Sequence, residues 1–596
     1  MAPRKDETLQ DRLLAMLDRH WRLLVVLTWA GMCAWLLYQR WASIEAFALA
    51  DTDDNMRMMQ VRGLLGGQDW YDLRQHRLAG SNIHWSRLVD LPLAGLILGL
   101  RPFLGGAAAE RWAVAIAPML PMLLMLFSVA LTTRRLVHPA AYPLALIAFF
   151  FAGSAGGMFG PLRIDHHGWQ LAFLALAVAG VSDPKRARGG AVLGLASALS
   201  LAVGLELMIY LAVMGIATVL FWVADAAERE RLRAYAVGLG GGAALAFLLF
   251  ASYANRLPVC DALSPVWLSD ALVAGAILFG LSLAVVEDWR RRLLVALGAG
   301  LVLAAFHALM WPHCLERLEG VPPQAVDLWL SHVREARPIY KHGWRIAVNV
   351  ATLPAIAAIG WILLAFLNRR NPERLRRILG AGLPALVAAM LLLWQTRAGP
   401  SAQTMALTGA AALGTILIAR LWRLKTVPLR LLGAGIVLVL CAGAVVPLAF
   451  EFIPPKPVTE RDRAIGKANR LCASMWGLRP IALEPKGRVM TFVDLGPRLI
   501  TLTHHDAVTG PYHRNAEQIV DVMRFWRGTP ENAHATVKKY RSDYVLSCPM
   551  ASSSTIFMAE APKGFYAQLE KGQVPDWLEP VVLPAASPYR MWRVVG

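Results

Sequence analysis

The sequence of 596 residues lacks the short motifs that mark most nucleotide-using enzymes. It contains no P-loop, no GxGxxG fingerprint and no GxSxG turn. Its six cysteines show no CxxC or Cys/His spacing, so the pattern does not support a structural zinc site. No internal repeat is visible, which argues against the paired halves of many transporters. A nucleotide cofactor is therefore not expected.

Acidic residues are also scarce, with 41 Asp and Glu against 60 Lys and Arg, for a net charge of +19. Such an excess can indicate nucleic-acid binding. Here the arginines cluster between apolar stretches, where they suit the anionic headgroups of a membrane. We therefore expect membrane lipids as partners, and no nucleic acid.

The chain is rich in long apolar stretches, most of which reach the length of about 17–25 residues that a bilayer core requires. The first is too long, and lacks the small-residue cleavage site, to be a removable signal peptide. No such stretch occurs after residue 450. The thirteen stretches are 22–40, 111–133, 138–156, 168–182, 189–205, 207–224, 233–252, 267–286, 293–311, 344–367, 378–395, 402–420 and 431–449.

Alternate gaps between these stretches carry clusters of arginine, and basic short loops remain in the cytoplasm. With a basic N-terminus also inside, thirteen crossings place the C-terminal part outside. The predicted fold is a polytopic α-helical membrane protein in a bacterial inner (plasma) membrane. Its domains are a transmembrane domain, 1–450, and a periplasmic α/β domain, 451–596. The longest outside loops are 41–110 and 312–343.

The cysteines fall into two groups. Cys33 and Cys441 lie in apolar stretches and are interpreted as packing residues, whereas the other four lie outside. An oxidising compartment favours the disulfides Cys260–Cys314 and Cys472–Cys548, although sequence cannot determine the connectivity.

The first outside loop opens with three carboxylates within four residues, Asp51, Asp53 and Asp54. Clustered carboxylates suit hard divalent cations such as Mg²⁺ or Mn²⁺. The alternative is an N-terminal helix cap, a position that Asp favours. Further along, His84 is an additional candidate.

The second outside loop ends in Arg163, Asp165, His166 and His167, directly before an apolar stretch. Desolvating an acid and two imidazoles at a membrane boundary is costly, so their presence favours a functional role over a simple cap with interfacial histidines. Asp165 and either histidine could complete a metal site begun in the first loop, and we assign Asp165 and His166 to it together with Asp51 and Asp53. Glu206, near the outer end of the fifth stretch, also needs a partner or a role.

Two further outside regions carry candidate residues. The loop 312–343 is long enough to act as a lid above a membrane site. Arg397 is the main charge of a turn of small residues, and suits either a phosphate or lipid headgroups. In the C-terminal part, helices are predicted at 459–475, 515–527 and 530–540, and strands at 488–494, 543–547 and 591–595. Polar side chains that could contact an acceptor lie between a strand and a helix: Asp494, His504, His505 and Tyr512.

Two acidic motifs outside, a long loop with a Val-x-Glu-x-x-Pro core, thirteen crossings and an outside C-terminal domain occur together in this chain. This combination resembles the single-chain bacterial and archaeal catalytic subunit of oligosaccharyltransferase, an integral-membrane glycosyltransferase of the GT-C type. By this resemblance Asp51, best placed relative to Arg57, matches the first-loop acid, and Arg163-x-Asp165-His166-His167 matches the second acidic motif. Glu335 corresponds to the glutamate of the mobile loop, and Arg397 to the arginine for the donor phosphate.

The resemblance implies an enzyme that transfers a sugar or oligosaccharide from a polyprenyl-phosphate or -diphosphate donor, with help from a divalent cation. Asp51 or Glu335 would orient or deprotonate the acceptor. The family's Trp-Trp-Asp-Tyr-Gly motif, which reads Asn-x-Ser/Thr acceptors, is replaced by Phe492-Val-Asp494-Leu-Gly496. The acceptor is therefore left open among a glycan, a lipid and a protein. The alternatives are a transporter or flippase of lipid-linked glycans, and a non-catalytic scaffold with a sensory outside domain.

Overall fold

The structure is a computed structural model that describes residues 9–316, 318–454 and 457–595. Helices dominate its first three quarters. In chain order they are α1 (Leu9–Arg19), α2 (Trp21–Glu45), α3 (Thr52–Leu65), α4 (Arg87–Leu104), α5 (Gly106–Ile116), α6 (Met119–Leu136), α7 (Tyr142–Phe151), α8 (Gly153–Gly156), α9 (His167–Val181), α10 (Arg186–Val203), α11 (Met208–Ala224), α12 (Arg229–Phe250), α13 (Pro265–Leu283), α14 (Trp289–Met310), α15 (Pro323–Leu328), α16 (Trp344–Leu367), α17 (Pro372–Leu391), α18 (Gly399–Leu421), α19 (Val427–Cys441) and α20 (Val445–Phe452).

Each predicted apolar stretch coincides with one or two of these helices. Among the described residues, seven helices are long and apolar enough to cross a bilayer, or up to nine if two bent helix pairs are counted as single spans. The apolar helices α9 and α11 are shorter. The chain is therefore a polytopic α-helical membrane protein, and the number thirteen is not confirmed.

The arginines predicted to be cytoplasmic gather on one face of the helical part. Arg134 pairs with Asp18 of the N-terminal helix at 2.7 Å, and Arg135 pairs with Asp183 at 2.7 Å. Ion pairs at the same face include Arg188–Asp183, Arg186–Asp225, Arg376–Asp225 and Arg231–Glu228. The acidic motifs instead lie beside the C-terminal domain. This separation agrees with the alternation in the sequence, while the side that faces the cytoplasm stays a prediction.

Glycines bring several helices into close contact. A Cβ added at Gly360 of α16 would collide with the carbonyl oxygen of Gly409 of α18, and one at Gly190 of α10 would collide with that of Arg231 of α12. Small residues at such crossings let backbones approach closely, and in a membrane this packing is what drives helix association.

The C-terminal part is an α/β domain. The first outside loop contributes a short hairpin beside it, β1 (Arg74–Gln75) and β2 (Ser81–Asn82). A mixed five-stranded sheet has the order β4-β3-β5-β7-β6. Its elements are β3 (Arg488–Met490), β4 (Asp506–Ala507), β5 (Tyr544–Ser547), β6 (Leu578–Val581) and β7 (Arg590–Val594), with the helices α21 (Glu460–Cys472), α22 (Met475–Leu478), α23 (Gly496–Leu502), α24 (Ala516–Arg527), α25 (Pro530–Tyr540), α26 (Ser552–Glu560) and α27 (Phe565–Glu570). The three predicted helices and three predicted strands are confirmed within a few residues. The short strands β4 and β6 were not predicted.

The core of this domain extends into loops 41–110 and 312–343, which are predicted to lie outside. Met56 of α3, Trp85 of the first loop and Trp329 of loop 312–343 are buried in the same apolar cluster as the sheet residues. Both disulfides are present, with Cα–Cα distances of 5.4 Å for Cys260–Cys314 and 6.4 Å for Cys472–Cys548. Cys33 and Cys441 are free and buried, as predicted.

Candidate active site

The acidic site starts at the N-terminus of α3. The Asp51 carboxylate accepts the backbone N–H groups of Asp53 and Asp54, and the Asp54 carboxylate accepts the N–H of Asp51. This reciprocal arrangement is a capping box, which satisfies N–H groups that a helix leaves without partners. The cap interpretation is therefore correct for Asp51 and Asp54.

Asp54 also joins the first loop to the second. Its side chain is fully buried, and its Oδ1 accepts the backbone N–H of Asp165 at 3.0 Å. Since a buried carboxylate is stable only with such partners, Asp54 holds Asp165 in position beside the start of α3. Its role in the structure is to bring the two acidic motifs together.

Asp51, Asp53 and Asp165 converge on one point. Each offers a carboxylate oxygen, and these oxygens lie within 4.8 Å of one another. Asp53 is the least engaged, because its carboxylate makes no hydrogen bond or ion pair with any residue that the structure describes. Burial, together with the negative charge of Asp165, raises the pKa of Asp53 to about 7.

Arg163 lies against this group and neutralises part of its charge. Its guanidinium donates to Asp165 at 2.7 Å, contacts Asp51 closely and reaches Asp54 at 3.4 Å. Burial opposes ionisation of Asp165, but the charges of His167 and Arg163 outweigh it and hold its pKa well below the usual range. Asp165 is thus ionised, whereas Asp53 resists ionisation without a nearby cation.

These residues fit a hard divalent cation. The group consists of carboxylate oxygens only, which Mg²⁺ and Mn²⁺ prefer. One carboxylate is without a partner among the described residues, and its negative charge is disfavoured by a like charge nearby. A bound cation would relieve that repulsion.

The two histidines of the second motif have different partners. His167 contacts Asp165, with Nδ1 at 2.9 Å from Oδ2, whereas His166 Nε2 lies 3.0 Å from Glu206. Gln170 also donates to Glu206. Among the described residues, His166 is absent from the group that could hold a metal with Asp165. The structure thus brings His167, rather than the predicted His166, to the acidic site.

Glu335 and Arg397 form an ion pair, with 2.6 Å between Oε1 and Nη2. The loop docks on the turn at Arg397 through its backbone, since Thr396 donates both its N–H and its hydroxyl to the carbonyl of Arg337. The charge of Glu335 contributes to the raised pKa of Asp53, so this pair lies close to the carboxylates. The predicted lid residue and the predicted phosphate residue therefore pair with each other within electrostatic range of Asp53.

Buried aromatic residues and an ion pair pack against the first loop. Arg57 is fully buried, pairs with Asp90 at 2.7 Å and stacks on Trp85 with 4.5 Å to the ring centroid. Tyr512 packs edge-on against Trp85 and donates its hydroxyl to the carbonyl of Thr52 at 3.0 Å. The C-terminal domain thereby contacts the turn that carries Asp51 and Asp53.

The other predicted acceptor residues are spread over the C-terminal domain. Asp494 is exposed, and His504 is exposed with Nε2 at 3.0 Å from the carbonyl of Glu484. His505 is fully buried and contacts backbone groups of Ile481 and Gly487. Burial holds the pKa of His505 below its usual value. Its ring therefore belongs to the interior of the domain.

A second group of possible metal ligands lies apart from the carboxylates. His84 shares it with Asp261 and His513, and its pKa is well below the usual value because of burial and the neighbouring His513. Asp261 and His513 were missed as site residues. The only sequence signal was that all three are polar residues of segments predicted to lie outside the membrane.

Comparisons with known proteins support the fold. No protein-family model matches the chain, and no curated protein sequence matches it. Among solved structures, the oligosaccharyltransferase AglB of the archaeon Archaeoglobus fulgidus, in complex with an inhibitory peptide and a dolichol-phosphate, has a TM-score of 0.68 at 15% identity, covering 95% of this chain and 73% of that chain.

Two other structures of the Archaeoglobus fulgidus oligosaccharyltransferase are also similar to this chain. One, tethered to an acceptor peptide containing the NVT sequon, has a TM-score of 0.64 at 15% identity and covers 96% of this chain and 74% of that one. The other, a complex with Zn and sulfate, has a TM-score of 0.61 at 15% identity, with coverages of 93% and 71%. The chain therefore has the fold of an archaeal oligosaccharyltransferase, in agreement with the resemblance drawn from its motifs and apolar stretches.

Proposed function

We propose that the chain is a membrane glycosyltransferase that transfers a sugar or oligosaccharide from a polyprenyl-phosphate or -diphosphate donor to an acceptor. The observation that carries this proposal is the convergence of Asp51, Asp53 and Asp165, from two separate loops, in a chain with this fold. A scaffold protein does not need three carboxylates brought together in this way. In transporters, intramembrane ionisable residues line a substrate pathway, whereas these acids lie in outside loops.

Asp51, Asp53 and Asp165 would hold a divalent cation, Mg²⁺ or Mn²⁺. When bound, the cation supplies neutralisation of the charge that develops on the leaving phosphate. Arg163 holds Asp51 and Asp165 in place, and Asp54 fixes the distance between the two loops. This rigid arrangement meets the requirement that charge-stabilising groups be positioned before the reaction.

Arg397 is suited to bind the donor phosphate. Its Nε is buried and makes no hydrogen bond within the described part of the chain, although Nη2 pairs with Glu335. A guanidinium with free donors binds phosphate oxygens by charge-assisted hydrogen bonds. The A. fulgidus enzyme forms a complex with a dolichol-phosphate, and we assign the phosphate of a similar lipid to Arg397 here.

Glu335 and Asp51 are the candidates to orient or deprotonate the acceptor. Arg397 keeps the pKa of Glu335 below its usual value, although burial opposes this, so the carboxylate is ionised and accepts protons only weakly. A phosphate that engages Arg397 would release Glu335 toward the acceptor. Donor binding and acceptor activation are then coupled through one ion pair.

The acceptor is proposed to be something other than an Asn-x-Ser/Thr peptide. Phe492 replaces a tryptophan of the acceptor-reading motif and is buried in a cluster with Trp526, Phe557 and Tyr566. A buried phenyl ring cannot contact an acceptor hydroxyl. A glycan, a lipid or another protein group is favoured, positioned near the exposed Asp494 and His504. Tyr512 is buried and would act through its contact with Thr52.

The reaction would take place on the periplasmic face of a bacterial inner membrane. The proposal is tested with purified protein, a lipid-linked donor and Mn²⁺. Transfer is expected with wild type, and should be lost with EDTA and in Asp51→Asn and Asp165→Asn, while the variants remain monodisperse in detergent. Full activity in EDTA would remove the cation from the mechanism.

A further inference from the structure

We propose that His84, Asp261 and His513 form a second metal site, which binds Zn²⁺ or a similar transition-metal ion. The bound ion would connect the C-terminal domain to the outside loops. Each residue offers one ligand atom, and these atoms lie within 4.8 Å of one another. Two imidazoles and a carboxylate are typical zinc ligands, with water as the fourth. Mg²⁺ and Ca²⁺ prefer ligand sets of oxygen atoms only.

Two buried polar atoms without hydrogen-bond partners lie next to this group of ligands. His84 Nδ1 is buried and makes no hydrogen bond within the described residues, and the same is true of Asn255 Oδ1. His84, Asn255 and Asp261 line one small cleft. Buried polar atoms are normally hydrogen-bonded, so two orphaned atoms in the same cleft call for an unseen partner.

Each ligand is held by its surroundings. Asn515, two residues after His513, accepts the N–H of Asn82 at 2.8 Å and donates to its carbonyl at 3.1 Å, which keeps His513 in register with His84. Asp261 follows Cys260 of the disulfide to Cys314. The ring centroids of His84 and His513 lie 4.5 Å apart. Such fixed ligands lose little entropy on binding a metal.

Arg514 orients the carboxylate. It donates to Asp261 Oδ2 through Nε at 2.7 Å and to Oδ1 through Nη2 at 2.6 Å. Ligating carboxylates are commonly hydrogen-bonded in this way, and Oδ1, which accepts only from Nη2, keeps a lone pair for a metal. The guanidinium charge weakens cation binding, which a transition metal with two imidazole ligands tolerates better than Mg²⁺.

His513 Nε2 and Asp261 Oδ2 are 2.6 Å apart, the distance of a hydrogen bond in which one proton lies between them. Metal binding would displace that proton to solvent, because ligating imidazole and carboxylate are both deprotonated. The site would then join the first outside loop, the loop that contains Asp261 and the C-terminal domain through a single ion.

The test separates this site from the carboxylate site. Full-length protein is purified through a tag without histidine, and Asp51→Asn/Asp53→Asn/Asp165→Asn removes the first site. Bound zinc is then counted by elemental analysis after gel filtration with ZnCl₂, and Co²⁺ spectra report the ligand type. We expect about one zinc per chain in this triple variant, and a rise in its unfolding temperature with ZnCl₂.

Adding His513→Gln or, separately, His84→Gln to the triple variant should abolish the zinc and the temperature rise. His504→Gln, an exposed histidine of the same domain, should change neither. No zinc in the triple variant, or zinc that persists in both His84→Gln and His513→Gln, overturns the proposal. Because no readout depends on transfer activity, the result is independent of the proposed function.

Discussion

The substitution Asp53→Asn tests the acidic site with little disturbance of the fold. The carboxylate of Asp53 makes no hydrogen bond or ion pair within the described residues, so the isosteric amide breaks no contact there. It removes the Asp53 carboxyl group, whose pKa is raised to about 7 by burial and by the negative charge of Asp165. Metal-free protein should therefore unfold at the same temperature as wild type or slightly higher.

Asp53→Asn should weaken the binding of a divalent cation. Two unit charges 4 Å apart interact by about 4 kcal/mol at an effective dielectric constant of 20. The amide keeps one oxygen ligand, and relief of the repulsion by Asp165 offsets part of the loss, which leaves a net cost of about 2 kcal/mol. This corresponds to about 30-fold weaker binding of Mn²⁺.

The assay is the rate of sugar transfer against Mn²⁺ concentration, with differential scanning fluorimetry of the same samples. The expected result is a curve shifted about 30-fold to higher Mn²⁺, with activity recovered at saturation. Asp72→Asn is the matched control, since Asp72 is a carboxylate of the same loop that pairs with Arg74 and His76 away from the site. An unchanged Mn²⁺ curve, or a large loss of stability without metal, would refute the reasoning.

Three other predictions concern topology, acceptor choice and the loop. A C-terminal alkaline phosphatase fusion should be active and a fluorescent-protein fusion dark; the reverse result would invalidate the periplasmic placement of the site. An Asn-x-Ser/Thr peptide should be a poor acceptor, so efficient transfer that disappears when its Asn is replaced by Gln would contradict the weight given to Phe492. Glu560 accepts hydrogen bonds from His332, at 2.6 Å, and from Arg527. An exposed ion pair contributes up to about 1 kcal/mol. Glu560→Gln should therefore speed hydrogen exchange in residues 329–337 by up to about fivefold, whereas the control Glu570→Gln should not. Equal exchange rates in the two variants would mean that the Glu560 contact does not hold the loop.

Much of the fold could be predicted because apolar length and arginine clustering are local properties of a sequence. The position of four cysteines outside the apolar stretches favoured the two disulfides, although the pairing itself came from the structure. The elements α24, α25 and β5 followed from periodicity and turn residues. The strands β4 and β6 are only two and four residues long. Their pairing depends on distant parts of the chain, which no local pattern reveals.

The candidate site was predictable in its carboxylates but not in its contacts. Asp51, Asp53 and Asp165 stand out because acids are costly beside a membrane. That Asp54 would bind the backbone of Asp165, or that Glu335 would pair with Arg397, depends on how separate loops pack. Each such contact crosses about 60 residues or more, a distance over which neither spacing nor composition carries information.

The pair His166 and His167 illustrates why the sequence did not predict which histidine contacts Asp165. Consecutive residues at a helix start point about 100° apart, so only one of them can face Asp165. Neighbouring residues determine which histidine faces Asp165. The ring of Trp85 lies 5.7 Å from that of His166, and Glu206 forms a hydrogen bond with His166 Nε2. His167 is therefore the histidine that contacts Asp165. This orientation keeps nitrogen ligands on the edge of the carboxylate site, while two imidazoles gather at Asp261. A site of oxygen ligands and a site rich in nitrogen select different metals. On the two proposals made above, the chain would keep a hard cation at the carboxylates apart from a transition-metal ion at His84, Asp261 and His513.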